Sequence, residues 1–311
     1  MQTSKRVVLL GANGFIGSAI SRKFQLSKNF FGISRNSLNV LDFDKLKKTL
    51  RELKPDIVIN ATGKVAGIQG NIERPTELMI ANSETIISIT KACHELSIEQ
   101  LFQFASACVY PLNESSSSSP EDIGTGLIEE TSKGYATAKL FGIELFAAYR
   151  KEFGYNWCTI IPSNLYGFGD WESGSNGHVI AMLTKKILIA NELNNPEVEL
   201  WGDGKSLRNF LNIDDLASAL LFITGINAKL ESIININGEP EITVFEIAQM
   251  IKRVTKYDGT FVFDKTKPNG ARKKALNDDF IRGLGWKPAI DLEIGIAEYV
   301  SMIEILKHQK I

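Results

Sequence analysis

Apolar positions follow two alternating rhythms over the first half of the chain. Short, nearly unbroken apolar runs at Val7 to Leu10, Phe30 to Ser34, Asp56 to Asn60, Leu101 to Ala105 and Asn156 to Pro162 predict buried strands. Between them lie longer segments with apolar residues three and four apart. One runs from the glycines after Leu10 to about Leu26, and others span Asp42 to Lys54, Pro75 to Leu96 and Gly134 to Phe153; these predict helices. Pro55 stops the second of them. Strand and helix alternate for roughly the first 160 residues, the pattern of an α/β chain with a doubly wound parallel sheet. Segments then become shorter. Strands are expected at Glu197 to Trp201, Ile233 to Asn237 and Thr260 to Phe263. Helices are expected up to about Asn191, after a cap at Ile213-Asp214-Asp215, over Val244 to Lys256 and over Leu292 to Leu306. The stretch from Gly202 to Leu211 reads as a connection, and no internal repeat is evident.

The first strand runs straight into Gly11-Ala12-Asn13-Gly14-Phe15-Ile16-Gly17 and a helix. Glycines at that spacing allow a tight turn and let backbone approach a pyrophosphate resting on a helix N-terminus. Gly11, Asn13, Gly14, Phe15, Ile16 and Gly17 are therefore candidate dinucleotide contacts. The second strand ends in Ser34-Arg35-Asn36, where a site for NAD commonly has an acid. Arg35 suits a 2′-phosphate instead, which favours NADP. The small-residue loop Ala61 to Asn71 suits the side of a dinucleotide. These features predict a Rossmann domain over residues 1–164, with return segments near 205–240. A smaller, mainly substrate-binding C-terminal α/β domain is expected over 165–311.

Ser106 follows the fourth strand, where doubly wound sheets bind ligands. Tyr135 and Lys139 are four apart and share a helix face. A phenol beside an ammonium is expected to lose its proton more easily than a free one. Ser, Tyr and Lys together can exchange a proton with an oxygen while hydride moves at carbon.

Composition narrows the field. The 311 residues carry a net charge of −1, so there is no basic footprint for nucleic acid or anionic membrane. No apolar run is of membrane-spanning length, and the N-terminus leads directly into a strand without a secretory signal. The cytoplasm is the expected location. Cys93, Cys108 and Cys158 are odd in number and widely spaced, which suits reduced thiols, and no metal pattern is visible. Cys93, His94 and Cys158 read as structural, and His308 lies in a polar tail. The serine run Ser115 to Ser119 is a surface loop or a flap over the cleft.

The glycine motif with Ser106, Tyr135 and Lys139 resembles the extended short-chain dehydrogenase/reductases. Lys64-Val-Ala-Gly-Ile, Ser-Ala-Cys108-Val-Tyr-Pro, Pro-Ser-Asn-Leu-Tyr-Gly, Ser-Asn-Gly-His178-Val-Ile, Trp201-Gly-Asp-Gly, Arg208-Asn-Phe-Leu and Thr-Lys-Pro-Asn-Gly narrow the match. In that order they resemble the GDP-L-fucose synthase family, GDP-4-keto-6-deoxy-mannose 3,5-epimerase/4-reductases, over nearly the whole chain. The resemblance implies Cys108 as base and His178 as acid for inversion, with Tyr135 protonating C4, Lys139 tuning it and Ser106 fixing the keto oxygen. It implies cofactor contacts at Ala105, Ser106, Tyr135, Lys139, Pro162, Asn164, Leu165 and His178, and GDP-sugar contacts at Lys186, Trp201 and Arg208. Trp201 could equally be core. A homodimer through the two long helices is also implied.

The serine run Ser115 to Ser119 has no counterpart in the family pattern, and three single residues depart from it. Asn13 and Lys186 stand where the family has Arg, and Ala107 where it has Ser. Preference for NADP then rests on Arg35. A related enzyme inverting C5 alone, as in GDP-L-colitose formation, fits the same residues. A plain 4-reductase would need neither Cys108 nor His178, and a non-catalytic NADP-binding protein would not need the Ser-Tyr-Lys set.

Overall fold

The computed structural model describes residues 5–112, 117–170, 178–267 and 272–308. Ser115, Ser116, Ser173 to Gly177 and Pro268 to Gly270 lie outside the described residues. The first part of the chain forms β1 (Val7–Leu10), α1 (Phe15–Phe24), β2 (Phe30–Ile33), α2 (Phe43–Leu53), β3 (Ile57–Asn60), α3 (Ile68–Glu73), α4 (Pro75–Glu95), β4 (Gln100–Phe104), α5 (Lys133–Phe153) and β5 (Cys158–Pro162). Then come β6 (Asn164–Tyr166), α6 (Val179–Glu192), β7 (Glu197–Trp201), β8 (Leu207–Asn212), α7 (Ile213–Thr224), β9 (Ile233–Ile236) and β10 (Glu241–Thr243). The chain closes with α8 (Val244–Thr255), β11 (Thr260–Asp264), β12 (Lys273–Lys274), α9 (Asp279–Gly283) and α10 (Leu292–His308).

Six parallel strands form the main sheet in the order β2-β1-β3-β4-β5-β9. Alternate side chains of β1 enter opposite cores, as a period of two requires. Val7 and Leu9 pack with α1 and α7, while Val8 and Leu10 pack with α2, α4 and α5. Both faces of the sheet are thus covered, which is why its strands are apolar throughout.

The second region is built on β8, which pairs antiparallel with β10 and parallel with β12 and β6. A parallel pair of β11 and β7 lies beside it. A further core gathers Ile180, Ile187, Ile247, Ile251, Ile296 and Ile303 from α6, α8 and α10.

The sequence expectations need three corrections. Gly202 to Leu211 is not all connection, because β8 begins at Leu207. Its Arg208, Asn209 and Asn212 hide the strand from a hydrophobicity reading, although all three are buried. The loop after β3 contains the short helix α3. The cap of α7 is Asn212, whose Oδ1 accepts from the Asp214 N–H at 2.9 Å. Asp214 and Asp215 occupy the first turn, where negative charge meets the positive end of the helix dipole.

Asp215 also ties the two regions together. Its buried carboxyl accepts from the N–H groups of Ala289 at 3.1 Å and Ile290 at 3.0 Å. At Gly238, just beyond β9, an added Cβ would lie 1.9 Å from the Phe210 carbonyl oxygen of β8. Gly238 N–H donates to Ser163 Oγ at 3.1 Å, and Asn209 Nδ2 donates to the Gly238 carbonyl at 2.8 Å. Asp215→Ala is expected to strand two backbone donors and destabilise the fold by about 2–4 kcal/mol in urea unfolding; Asp215→Asn, which keeps one acceptor, is expected to cost less.

Candidate active site

The order of the main sheet reverses between β1 and β3, which opens a crevice at their C-terminal ends. The glycine turn fills this place. Gly11 has φ +86°, and a Cβ there would lie 2.8 Å from the Ala61 carbonyl oxygen. A Cβ on Gly17 would lie 2.0 Å from the Gly11 carbonyl oxygen. Any side chain at either position would force the turn open. Gly14 caps α1 without a side-chain hydrogen bond, Asn13 is exposed, and Phe15 and Ile16 are half-buried. Arg35 is exposed just beyond β2, beside the hydrogen-bonded hydroxyls of Ser34 and Ser37 at 2.8 Å. The loop after β3 is held by Asn82 of α4, whose Nδ2 donates to the Lys64 carbonyl at 2.9 Å while its Oδ1 accepts from the Lys64 N–H at 3.2 Å. The chain thus offers a cradle of dinucleotide shape.

Four of the catalytic candidates converge at the end of β4. Ala105 is buried there, and Ser106 leads into a 3-10 turn over Ala107–Val109. Ser106 Oγ accepts from the Cys108 N–H at 3.4 Å. Tyr135 and Lys139 sit on the first turns of α5, with the Lys139 ammonium 5.5 Å from the centre of the Tyr135 ring. Lys139 is 7 % exposed. Its Nζ lies against the loop after β3, 3.6 Å from where a Cβ on Gly63 would stand. Burial pulls the Lys139 ammonium down to about 8, against the charge of Cys108.

The expected easing of Tyr135 deprotonation is not what the geometry gives. Burial pushes its phenol up, and the charge of Cys108 pushes it further. Lys139 lies over the ring face and does not offset this. The Cys108 thiol is also pushed up on balance. Burial is the largest cause, opposed by the Ser106 hydrogen bond and the charges of Lys274 and Lys139. Cys108 lines a cleft of about 20 Å³ together with Glu129, Lys274 and Leu276. Cys93 and Cys158 are core thiols, and all three cysteines are free.

Glu129 and Lys274 are the site residues that sequence reasoning missed. Lys274 Nζ donates to Glu129 Oε2 at 2.6 Å, and Arg208 stands opposite Lys274 in register. Burial raises the Glu129 carboxyl, but the charge and hydrogen bond of Lys274 outweigh it and hold the group low. Arg208 is buried, its Nη1 donates to the Leu207 carbonyl at 2.7 Å, and burial lowers its guanidinium against the charge of Glu129. Lys273-Lys274 was the available signal, but two adjacent lysines ordinarily mark a solvated surface.

His178 belongs to a second group, against the glycine turn. It is the N-cap of α6, and its ring centre lies 5.7 Å from that of Phe15. Its Nδ1 donates to Asp170 Oδ1 at 2.7 Å. Burial lowers the imidazole, yet the hydrogen bond and charge of Asp170 outweigh it, so the ring holds its proton above the usual histidine range. Pro162 and Leu165 are buried at the end of β5 and the start of β6, and Asn164 Nδ2 donates to the Asn209 carbonyl at 3.0 Å. Of the three substrate candidates, two meet: the ammoniums of Lys186 and Lys267 lie 5.7 and 5.6 Å from the Trp201 ring centre. Trp201 is 38 % exposed, so it is a surface ring and not core. Arg208 sits apart from that pair in its contacts, beside Glu129 and Lys274.

A doubly wound sheet with a glycine turn at its switch point, and Ser, Tyr and Lys at the ends of β4 and α5, defines a nucleotide-dependent oxidoreductase of the short-chain dehydrogenase/reductase class. Residues 7–236 match the model of the NAD dependent epimerase/dehydratase family, and the chain belongs to that family. It is similar to GDP-L-colitose synthase of Yersinia pseudotuberculosis, 33 % identical over 94 % of this chain and 96 % of that one. It is similar also to GDP-L-fucose synthase of Sinorhizobium fredii, 33 % identical over 96 % of each. A solved GDP-L-fucose synthetase from Naegleria fowleri, bound to NADP, shares the fold with a TM-score of 0.84 and 24 % identity, covering 99 % of this chain and 96 % of that one. Among the described residues no helix is long and apolar enough to cross a membrane.

The lowered Lys139 ammonium has a consequence for stability. An unfolded lysine keeps its proton to about 10.5, the folded one only to about 8. Below pH 8 the burial penalty is fully present, and it is lost as pH rises toward 10.5, because there the unfolded chain binds the extra proton. Lys139→Met removes the penalty at every pH. Its stability relative to wild type, from urea unfolding, is expected to fall by about 3 kcal/mol between pH 7 and pH 10.5.

Proposed function

We propose that the chain is an NADPH-dependent epimerase/reductase that converts GDP-4-keto-6-deoxy-D-mannose to GDP-L-fucose, inverting C3 and C5 and reducing C4. The observation that carries this reading is the Cys108 thiol beside Ser106 and within reach of the Lys139 charge, since a reductase alone has no use for it. The C4 ketone acidifies the C–H bonds at C3 and C5. Cys108 takes a proton from carbon, with Lys274 and Lys139 supplying the positive charge that a thiolate needs. His178 returns a proton to the opposite face. Ser106 Oγ holds the keto oxygen. Tyr135 then protonates the C4 alkoxide, and its raised phenol keeps that proton in place until the alkoxide forms. NADPH, when bound, supplies the hydride to C4.

The glycine turn suits either dinucleotide, while Arg35 and the NADP-bound relative support NADP(H) over NAD. The cradle residues are Gly11, Asn13, Gly14, Phe15, Ile16 and Gly17, with Ala105, Pro162, Asn164 and Leu165 beside the nicotinamide end. We assign residues 1–164, with return segments near 205–240, to the cofactor and 165–311 mainly to the GDP-sugar. Lys186, Trp201 and Arg208 would hold the nucleotide and its diphosphate. The three free thiols support a cytoplasmic setting.

A second reading is supported by the GDP-L-colitose synthase similarity. The substrate would then be a 3,6-dideoxy GDP-keto-sugar, and only C5 would invert. Reaction with NADPH and GDP-4-keto-6-deoxy-mannose in heavy water separates the two. Deuterium at C3 and C5 with a reduced C4 is expected, whereas exchange confined to C5 favours the second reading and reduction without exchange removes both. Cys108→Ser is expected to abolish exchange while cofactor binding persists. Tyr135→Phe is expected to slow hydride transfer far more than exchange.

A homodimer through α4 and α5 is part of the same reading. Met79, Ile80 and Ile87 of α4 and Phe141 of α5 are exposed apolar residues on those helices. Ile80→Asp with Ile87→Asp is expected to halve the mass seen by analytical ultracentrifugation; an unchanged mass would place the interface elsewhere.

A further inference from the structure

Asp170 is a buried carboxylate with an unusual set of neighbours. The chain leaves β6 through Gly167 at φ +129° and Gly169 at φ +97°, a backbone path open to glycine. This path turns Asp170 inward, where its side chain is 0 % exposed. Oδ1 accepts from His178 Nδ1 at 2.7 Å, while Oδ2 is buried with no hydrogen-bond partner among the described residues. Burying a carboxylate with half its lone pairs unanswered is costly unless a cation is bonded to it. His178 is the group bonded to it that can carry that charge.

The other neighbours do not compete for this role. Phe15 of α1 packs on the imidazole as an uncharged ring. Arg22 of α1 is engaged with Asp214 at 2.8 Å and with the Phe168 ring. Tyr299 of α10 senses Asp170, but its buried phenol is pushed up by burial first and by that charge second, so it stays neutral. Its hydroxyl and Thr184 Oγ1 of α6 are both buried without a hydrogen-bond partner among the described residues.

Among the described residues the imidazole is hydrogen-bonded through Nδ1. With Nδ1 occupied by Asp170, Nε2 is the nitrogen left to act, and the His178 side chain is 43 % exposed. We propose that Asp170 is a positioning residue for His178: it fixes the ring with Nδ1–H in the carboxylate and presents Nε2–H to the sugar as the proton donor. This rests on the acid role given to His178 above. The geometry follows the general rule that the hydrogen bond at one ring nitrogen decides which proton the other offers.

The test begins with the wild-type protein, so it needs no variant to fold. The chain has three histidines, His94, His178 and His308, and His178→Gln assigns the signal in a histidine-labelled sample. NMR titration is expected to show His178 titrating above 6.5, with the Nδ1–H tautomer dominant in the neutral ring. In Asp170→Asn its midpoint is expected to drop by about one unit or more. Deuterium exchange into the sugar is then expected to fall about tenfold at pH 8 and recover toward wild type as pH is lowered. A wild-type midpoint at or below 6.5, or one unmoved by Asp170→Asn, overturns the proposal. A shifted midpoint with an unaltered exchange profile leaves the ring fixed by Asp170 but removes the acid role from His178.

Discussion

A positive charge sealed from water lies at the centre of this molecule. The Lys139 ammonium is buried and has no carboxylate ion pair among the described residues. Charge in such a place is costly, so burial pulls the ammonium down to about 8, and a charge on Cys108 acts the other way. The relation is mutual: burial opposes the thiolate, while Lys139 and Lys274 favour it. Under the proposed function the base that moves carbon-bound protons and the lysine that serves hydride chemistry therefore share one electrostatic environment. A change at either is felt at the other, and at Tyr135, which senses the sulfur with opposite sign.

The fold creates this environment from parts far apart in the chain. The end of β4 brings Ser106 and Cys108, the start of α5 brings Tyr135 and Lys139, and β12 brings Lys274. Lys274 reaches the site because β12 pairs with β8, itself held against the main sheet. Glu129 then bonds Lys274 across the cleft, so the second region contributes charge to the site. His178 arrives by a different route, at the N-cap of α6 with its ring near Phe15 of α1.

The main sheet was legible in the sequence because burial on both faces leaves a signal in every strand. Val7 to Leu10 and Ile57 to Asn60 lie where the apolar runs predicted. The glycine turn was legible for a steric reason, since only a hydrogen fits at Gly11 and Gly17. β8 was not, because Arg208, Asn209 and Asn212 are buried by polar contacts and leave no apolar periodicity. Glu129, Lys274 and Asp170 were missed for a related reason. A carboxylate or an ammonium gains its role from what it faces, and facing is a property of the pairing of β12 with β8 and of the turn at Gly167 and Gly169. The direction of the Tyr135 shift was misjudged because the spacing to Lys139 is visible in a sequence and depth of burial is not.

The crossing at Gly238 bears on how the molecule can move. Backbone there touches backbone of β8, with Ser163 and Asn209 bonded to either side of the same residue. Contact of that kind leaves no slack for a hinge, because any rotation of one sheet against the other would drive main-chain atoms together or break paired amides. The two sheets must therefore travel as one block at this point. Any loosening of one sheet from the other at this residue would have to break those bonds first.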